Sequence, residues 1–158
     1  MAGARRIRPA RAADLRALAV IFHAAIHAEP SPYTRRQRRA WAPSVPAAPD
    51  WELRLAAQEV RVAEESGGIT GFMTLGPGGY VDLAFILPEA RGRGVFRDLL
   101  RAIEAAARAA GETELVTDAS LAAEAPFAAC GFTTVLREEV RRRGVALQRA
   151  RMRKPLTS

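Results

Sequence analysis

Along this chain the spacing of apolar residues switches repeatedly between two and about 3.6, which predicts alternating strands and helices. Ile7-Arg8-Pro9-Ala10 is a short run limited by its proline and predicts a first strand. From Leu15 the period becomes helical. Leu15, Leu18, Ala19, Phe22, Ala25 and Ile26 fall on one face, Asp14 stands near the positive end of that helix, and Pro30 and Pro32 end it after Ala28. Tyr33 to Trp41 predicts a second, short helix. Pro43 to Asp50 is a proline-rich loop able to fold over a pocket, and Trp51 to Ala57 has helical propensity. Alternation returns in Glu59 to Glu64 and Ile69 to Leu75, which Ser66-Gly67-Gly68 joins into a hairpin.

Gly76-Pro77-Gly78-Gly79 then turns the chain into its most apolar stretch. Tyr80 to Leu87 is aromatic and β-branched, stops at Pro88, and reads as a buried strand. After Arg91-Gly92-Arg93-Gly94 comes a helix whose face is Val95, Phe96, Leu99, Leu100, Ile103, Ala106 and Ala107, closed by Gly111. Glu114 to Asp118 predicts a fifth strand and Leu121 to Ala129 a helix, with Pro126 as a kink or a late start. Phe132 to Arg141 and Val145 to Arg153 form a last hairpin around Arg142-Arg143-Gly144, and Pro155 to Ser158 is a short polar end.

Composition narrows the class. At 158 residues the chain suits a single domain over residues 1–158, and 49% apolar with 26% charged residues is ordinary globular composition. No apolar run approaches a membrane span, and the opening Met1-Ala2-Gly3-Ala4-Arg5-Arg6 has no apolar signal segment, so a soluble cytoplasmic protein with no membrane partner is expected. The single Cys130 excludes an internal disulfide and a cysteine-based metal cluster. His23 and His27 are four apart on the first helix, but no carboxylate motif accompanies them and no metal site is expected. A net charge of +7 would ordinarily suggest a polyanion. Arg35-Arg36-Gln37-Arg38-Arg39 and Arg141-Arg142-Arg143 lack interleaved stacking aromatics, however, so they read as solvated faces and no nucleic acid partner is expected.

The strand-to-helix turn at Arg91-Gly92-Arg93-Gly94 has chemistry of its own. Glycines there leave backbone N–H groups unpaired at the positive end of a helix, which suits a phosphate or pyrophosphate, and the two arginines add charge. Neither the dinucleotide Gly-x-Gly-x-x-Gly nor a Gly-Lys-Ser/Thr P-loop is present. Pro88-Glu89-Ala90-Arg91-Gly92-Arg93-Gly94-Val95-Phe96 instead resembles the cofactor loop of the GNAT superfamily of acyl-CoA-dependent N-acetyltransferases, Gln/Arg-x-x-Gly-x-Gly/Ala after a strand. Arg91 and Gly94 match that pattern, and Phe96 stands where the family has glycine or alanine.

Three further stretches agree in order. Asp118-Ala119-Ser120 with Pro126-Phe127-Ala128-Ala129-Cys130-Gly131-Phe132 resembles the family's Asn-x-x-Ala...Tyr-x-x-x-Gly-Phe segment, Ser120 taking the asparagine place and Phe127 the tyrosine place. Tyr33-Thr34-Arg35-Arg36-Gln37-Arg38-Arg39-Ala40-Trp41 resembles a Tyr-Ser/Thr-x-x-Gln-x-x-Ala-Trp signature of one bacterial branch, and Gly144-Val145 to Lys154 resembles that branch's last strand. The resemblance implies an α/β (α+β) fold with a mixed, mostly antiparallel central sheet of about seven strands flanked by four or so helices. It also implies acetyl-CoA (coenzyme A) as cofactor and a primary amine of a small molecule or peptide as acceptor, attacked directly in a ternary complex. Main-chain groups of Phe85, Ile86 and Leu87 would hold the pantetheine arm and carbonyl. Arg91, Gly92, Arg93, Gly94, Val95 and Phe96 would hold the pyrophosphate. A homodimer through the last strands is a further implication.

Acyl transfer to an amine needs an oxyanion donor, a route for the amine proton and help for the leaving thiolate. Asp82 is the first base candidate, being a carboxylate within an apolar strand. It has two alternatives: pairing with an arginine, or orienting the amine while water carries the proton. Tyr80, two residues earlier, shares its face. Asp118 and Ser120 end the next strand and are candidates for the acceptor or pantetheine wall, Ser120 alternatively as a helix N-cap. Phe127 has no proton to give, which leaves Tyr33, Tyr80 or water to protonate the thiolate. Tyr33, Trp41 and Trp51 form an aromatic wall for the acceptor or anchor the loop. Cys130 reads as packing rather than as a nucleophile. Phe96 and Phe127 together motivate an alternative, a non-catalytic acyl-CoA-binding module of the same fold.

Overall fold

A computed structural model describes residues 4–157, so Met1, Ala2, Gly3 and Ser158, the extremes of the opening stretch and of the polar end, lie outside it. The elements are β1 (Arg6–Pro9), α1 (Leu15–His27), α2 (Arg35–Trp41), α3 (Asp50–Ala56), β2 (Glu59–Glu65), β3 (Gly68–Gly76) and β4 (Tyr80–Ile86). They continue as α4 (Val95–Ala109), β5 (Glu114–Ser120), α5 (Glu124–Ala129), β6 (Thr133–Arg142) and β7 (Val145–Pro155). All seven strands form one sheet in the order β1-β2-β3-β4-β5-β7-β6, antiparallel throughout except for β4 beside β5.

Local chemistry explains where the elements begin. Tyr33 stands outside α2 because Thr34 caps it: the Thr34 hydroxyl accepts the Gln37 N–H at 3.1 Å, and the Gln37 side chain accepts the Thr34 N–H at 2.8 Å. The helix predicted from Leu121 starts late, at Glu124, which puts Pro126 in its first turn where no N–H is needed. Nor is the chain after Arg153 loose. It extends β7 to Pro155, and the Leu156 N–H reaches Thr113 O at 2.8 Å.

The sheet separates two cores. On one face α1 and α3 bring Leu18, Phe22, Trp51 and Leu55 onto Val62, Phe72 and Leu83. On the other, α4 lays Leu99, Leu100 and Ile103 on Met73, Val81 and Leu115, with Phe127 and Phe132 alongside. Each of those three α4 side chains is at most 2% exposed and contributes roughly 1.5–3 kcal/mol by burial.

An irregularity in β4 positions the site. Opposite β3 the register runs Ala84 to Met73 and then Val81 to Leu75, so β4 carries one extra residue between. The buried Thr74 hydroxyl fills the gap by accepting the Leu83 N–H at 3.0 Å. Such a bulge bends its strand. Pairing to β5 accordingly consists of Tyr80 with Val116 and Val81 with Thr117, locked by the Thr117 hydroxyl on Val81 O at 2.8 Å. Beyond Val81 the two strands part.

Candidate active site

Two cavities open where β4 and β5 separate, and six residues line both: Tyr33, Trp41, Ala84, Phe85, Ser120 and Ala123. The larger, about 410 Å³, runs between the free edge of β4, the loop after α1, the start of α4 and α5. The smaller, about 180 Å³, runs over Tyr80, Asp82, Asp118 and the β6–β7 hairpin.

Main-chain groups furnish the larger cavity. The Leu87 N–H bonds Thr70 O at 2.8 Å and its carbonyl accepts the Ala90 N–H at 2.9 Å, so Leu87 is not available as the main-chain donor the sequence suggests. Alternation along the strand turns the peptide groups of Phe85 toward β3 as well, and those of Ala84 and Ile86 into the gap. The peptide groups of Ile86, and of Ala84, which carries no side-chain signal in the sequence, thus face the cavity. Phe85 contributes its ring instead, set against Phe22, Trp41 and Phe72 at centroid distances of 4.9, 6.1 and 6.0 Å.

At the far end, Gly94 has φ +83°, a left-handed conformation that glycine adopts without strain, and serves as the N-cap of α4. The first helical bond is Asp98 N–H to Gly94 O at 3.1 Å, which leaves the N–H groups of Val95, Phe96 and Arg97 without helical partners. Unpaired N–H groups at a helix start form a cradle suited to an anion, the geometry on which the sequence expectation rests. Its arginines are distributed differently. Arg91 lines the cavity and donates to Ala25 O at 3.2 Å, but Arg93 turns back to Glu65 at 3.0 Å and leaves the lining, where Arg97 stands instead. The loop is also held from outside by a residue the sequence did not single out. Arg5 donates to Arg93 O at 2.6 Å, Asp98 at 2.7 Å and Glu65 at 2.7 Å, and the two carboxylates raise its pKa.

Phe96 leaves the cradle free. Its ring packs edge-on against Phe127 at 4.9 Å, and Phe127 packs against Phe132 at 4.8 Å. The two departures from the family pattern are thus one packing unit, Phe96 facing the cavity on one side and the core on the other. Cys130 packs on the same core and lines the cavity.

Side chains furnish the smaller cavity. Asp82 takes the arginine-paired form: Arg54 Nε and Nη2 donate to its two oxygens at 2.9 and 3.0 Å, and Gln58 Nε2 adds a third bond at 2.8 Å. Tyr80 shares that face and donates to Asp118 at 2.8 Å. Burial, reinforced by this hydrogen bond, pushes the Tyr80 pKa up to about 12. Burial alone would raise the Asp118 carboxyl too, but hydrogen bonds from Arg151 and Tyr80 and the charge of Arg149 outweigh it and hold the carboxyl below its ordinary value.

Tyr33 is an anchor. Its hydroxyl donates to Gln148 O at 2.6 Å and accepts the Leu121 N–H at 2.9 Å, and burial raises its pKa, so it has no proton at hand for a thiolate. Trp41 packs against it at 5.7 Å on the wall shared by the two cavities, whereas Trp51 is buried in the core with its N–H on Leu15 O at 2.9 Å. Ser120 caps the turn into α5, accepting the Ala123 N–H at 3.2 Å, and still faces both cavities. His27 is tied to Ala42 O at 2.7 Å, and among the described residues no three His, Cys, Asp or Glu side chains are grouped to hold a metal. No helix among them is long and apolar enough to cross a membrane.

Comparison with known proteins bears on the family and the fold. Residues 29–154 match the family model of the acetyltransferase (GNAT) domain. An uncharacterized N-acetyltransferase of Escherichia coli K12, YafP, is 33% identical over 140 residues, 88% of each chain. The crystal structure of a GCN5-related N-acetyltransferase from Rhodopseudomonas palustris superposes with a TM-score of 0.91 at 30% identity, covering 99% of this chain and 98% of that one. The acetyltransferase yncA from Salmonella typhimurium, solved with acetyl-CoA, shares the fold at 24% identity with a TM-score of 0.70, covering 99% and 96%.

Proposed function

Because the chain belongs to the GNAT acetyltransferase family, we propose that it transfers an acetyl group from acetyl-CoA to a primary amine of a small molecule or peptide, by direct attack in a ternary complex. The observation that carries this reading is the shared wall: two cavities of different character meet at Ala84, Phe85 and Ser120, so a donor in one and an acceptor in the other are adjacent. Acetyl-CoA supplies a thioester carbonyl already activated toward amines. The chain's own residues do the rest.

The N–H groups of Val95, Phe96 and Arg97 receive the pyrophosphate, with Arg91 and Arg97 beside them. The free peptide groups of Ala84 and Ile86 hold the pantetheine arm in register, and one N–H stabilises the charge that develops on the carbonyl oxygen. In the acceptor cavity Asp82, held in place by Arg54, orients the amine. As the C–N bond forms and the C–S bond breaks, the surplus amine proton passes to groove water. Tyr80 is a poor acid for this step, since its pKa of about 12 lies above the roughly 8.5 of a thiol. Ser120 accepts one hydrogen bond from Ala123 and offers its hydroxyl to the leaving sulfur as a hydrogen bond only, while the proton released to groove water returns to the thiolate.

Two measurements test the reading. Acetyl-CoA at about a hundred times its Kd is expected to stabilise the fold by about 2.7 kcal/mol and raise Tm. A screen of primary amines is expected to release free thiol in proportion to acylated amine. Absence of a Tm shift at millimolar acetyl-CoA overturns the cofactor assignment. Thiol release that is independent of any amine overturns the acceptor assignment.

A further inference from the structure

This inference rests on the transferase reading and concerns what the acceptor carries besides its amine. The charged residues lining the acceptor cavity are Arg54, Arg142 and Arg149 against Asp82 and Asp118. Both carboxylates are already matched. Asp82 holds Arg54 through two bonds and Gln58 through a third. Asp118 holds Arg151 at 3.0 Å, the Tyr80 hydroxyl at 2.8 Å and Arg149 at 3.9 Å, and Arg149 is further paired with Glu138 at 2.7 Å.

Arg142 is the exception. It stands at the end of β6, is exposed, and among the described residues no carboxylate lies within ion-pair distance of it. Its guanidinium donates to the neighbouring carbonyl of Arg141 at 3.1 Å. The cavity therefore has paired charges along its wall and one unpaired positive charge on the hairpin side.

We propose that the acceptor is an amine that also bears an anionic group, a carboxylate or its equivalent, which Arg142 receives while the amine lies over Asp82 at the wall shared with the cofactor cavity. An amine with a second positive charge meets no free carboxylate here and faces Arg142 instead. Charge complementarity thus selects amino-acid-like acceptors and rejects polyamines. Arg142 acts as a specificity-determining residue, distant from the bonds that form and break.

The test uses three amines of one chain length: ε-aminocaproate, hexylamine and hexamethylenediamine. Thiol release at saturating acetyl-CoA is measured for the full chain and for Arg142→Ala and Arg142→Glu. The expected order of kcat/KM is acid, then monoamine, then diamine, with the acid about tenfold ahead of the diamine. Arg142→Ala removes that advantage and Arg142→Glu reverses it, each variant being verified as folded by a Tm shift with coenzyme A. A diamine used as well as the acid, or an acid preference that survives Arg142→Glu, overturns the inference and leaves the transferase standing. Failure of all three amines to release thiol, with coenzyme A bound, counts against both.

Discussion

The two cavities share a wall, yet the larger one, proposed for the cofactor, presents peptide groups and the smaller one, proposed for the acceptor, presents paired side chains. In the larger cavity Ala84, Ile86, Val95 and Phe96 offer backbone groups, so in the proposed role their identity matters only where it shapes the path of the chain, as at Gly94. On the acceptor side Arg54, Asp82, Tyr80, Asp118 and Arg151 come from α3, β4, β5 and β7, and each is set by the partner it meets. A backbone site is rigid because the sheet is rigid. A side-chain site is specific because every partner must be present.

The largest test of this contrast is Phe96→Ala. The ring supports the cradle from behind, through Phe127, so its loss is expected to cost about 3 kcal/mol in urea unfolding, toward the low end for an aromatic because the ring is only partly buried. Coenzyme A should still bind. Tighter coenzyme A binding with unchanged stability would mean that the ring occupies the cradle. Next is Gly94→Ala, which forces a Cβ onto a backbone at φ +83° and is expected to weaken coenzyme A about tenfold by calorimetry, at about 1–2 kcal/mol of strain. Affinity that stays the same would show that the loop does not contact the cofactor.

Asp82→Asn should act on the opposite cavity alone. It keeps the shape but frees Arg54, and the expected outcome is a loss of roughly tenfold in kcat/KM for the amine, about 1.4 kcal/mol, with coenzyme A affinity retained. An equal loss in both would erase the distinction between the sites. The smallest effect is in pH. The folded pKa of Asp118 lies below its ordinary value, so its contribution to stability is complete above roughly 3.9 and is lost as pH falls through the folded value. The Tyr80 contribution is complete below roughly 10 and is lost as pH rises toward about 12. Asp118→Asn should flatten the acid limb of a stability profile, and an unchanged limb would place the acid-sensitive group elsewhere.

The same contrast governs what could be read in the sequence. Strands and helices follow from apolar spacing, and the loop from glycines between a strand and a helix, all of them local signals. The capping pair Thr34 and Gln37 is equally local, a Thr-x-x-Gln pattern whose meaning is a helix start. Arg54 with Asp82 and Arg151 with Asp118 span 28 and 33 residues, and Arg5 reaches Arg93 across 88. Of the 24 basic residues only Lys154 is not arginine, so no local rule could select which arginine meets which aspartate. Which of the consecutive Phe85, Ile86 and Leu87 turn their peptide groups into the gap is set by pairing with β3, a partner strand that leaves no mark in β4 itself.

The aromatic stack of Phe96, Phe127 and Phe132 also constrains which single replacements the chain can accept. A small residue at 96 by itself leaves a hole beside its neighbour, and a bulkier group at 127 by itself collides with what already fills that space. The two positions are coupled, and an engineer who wishes to place a phenol at 127 has to redesign both at once.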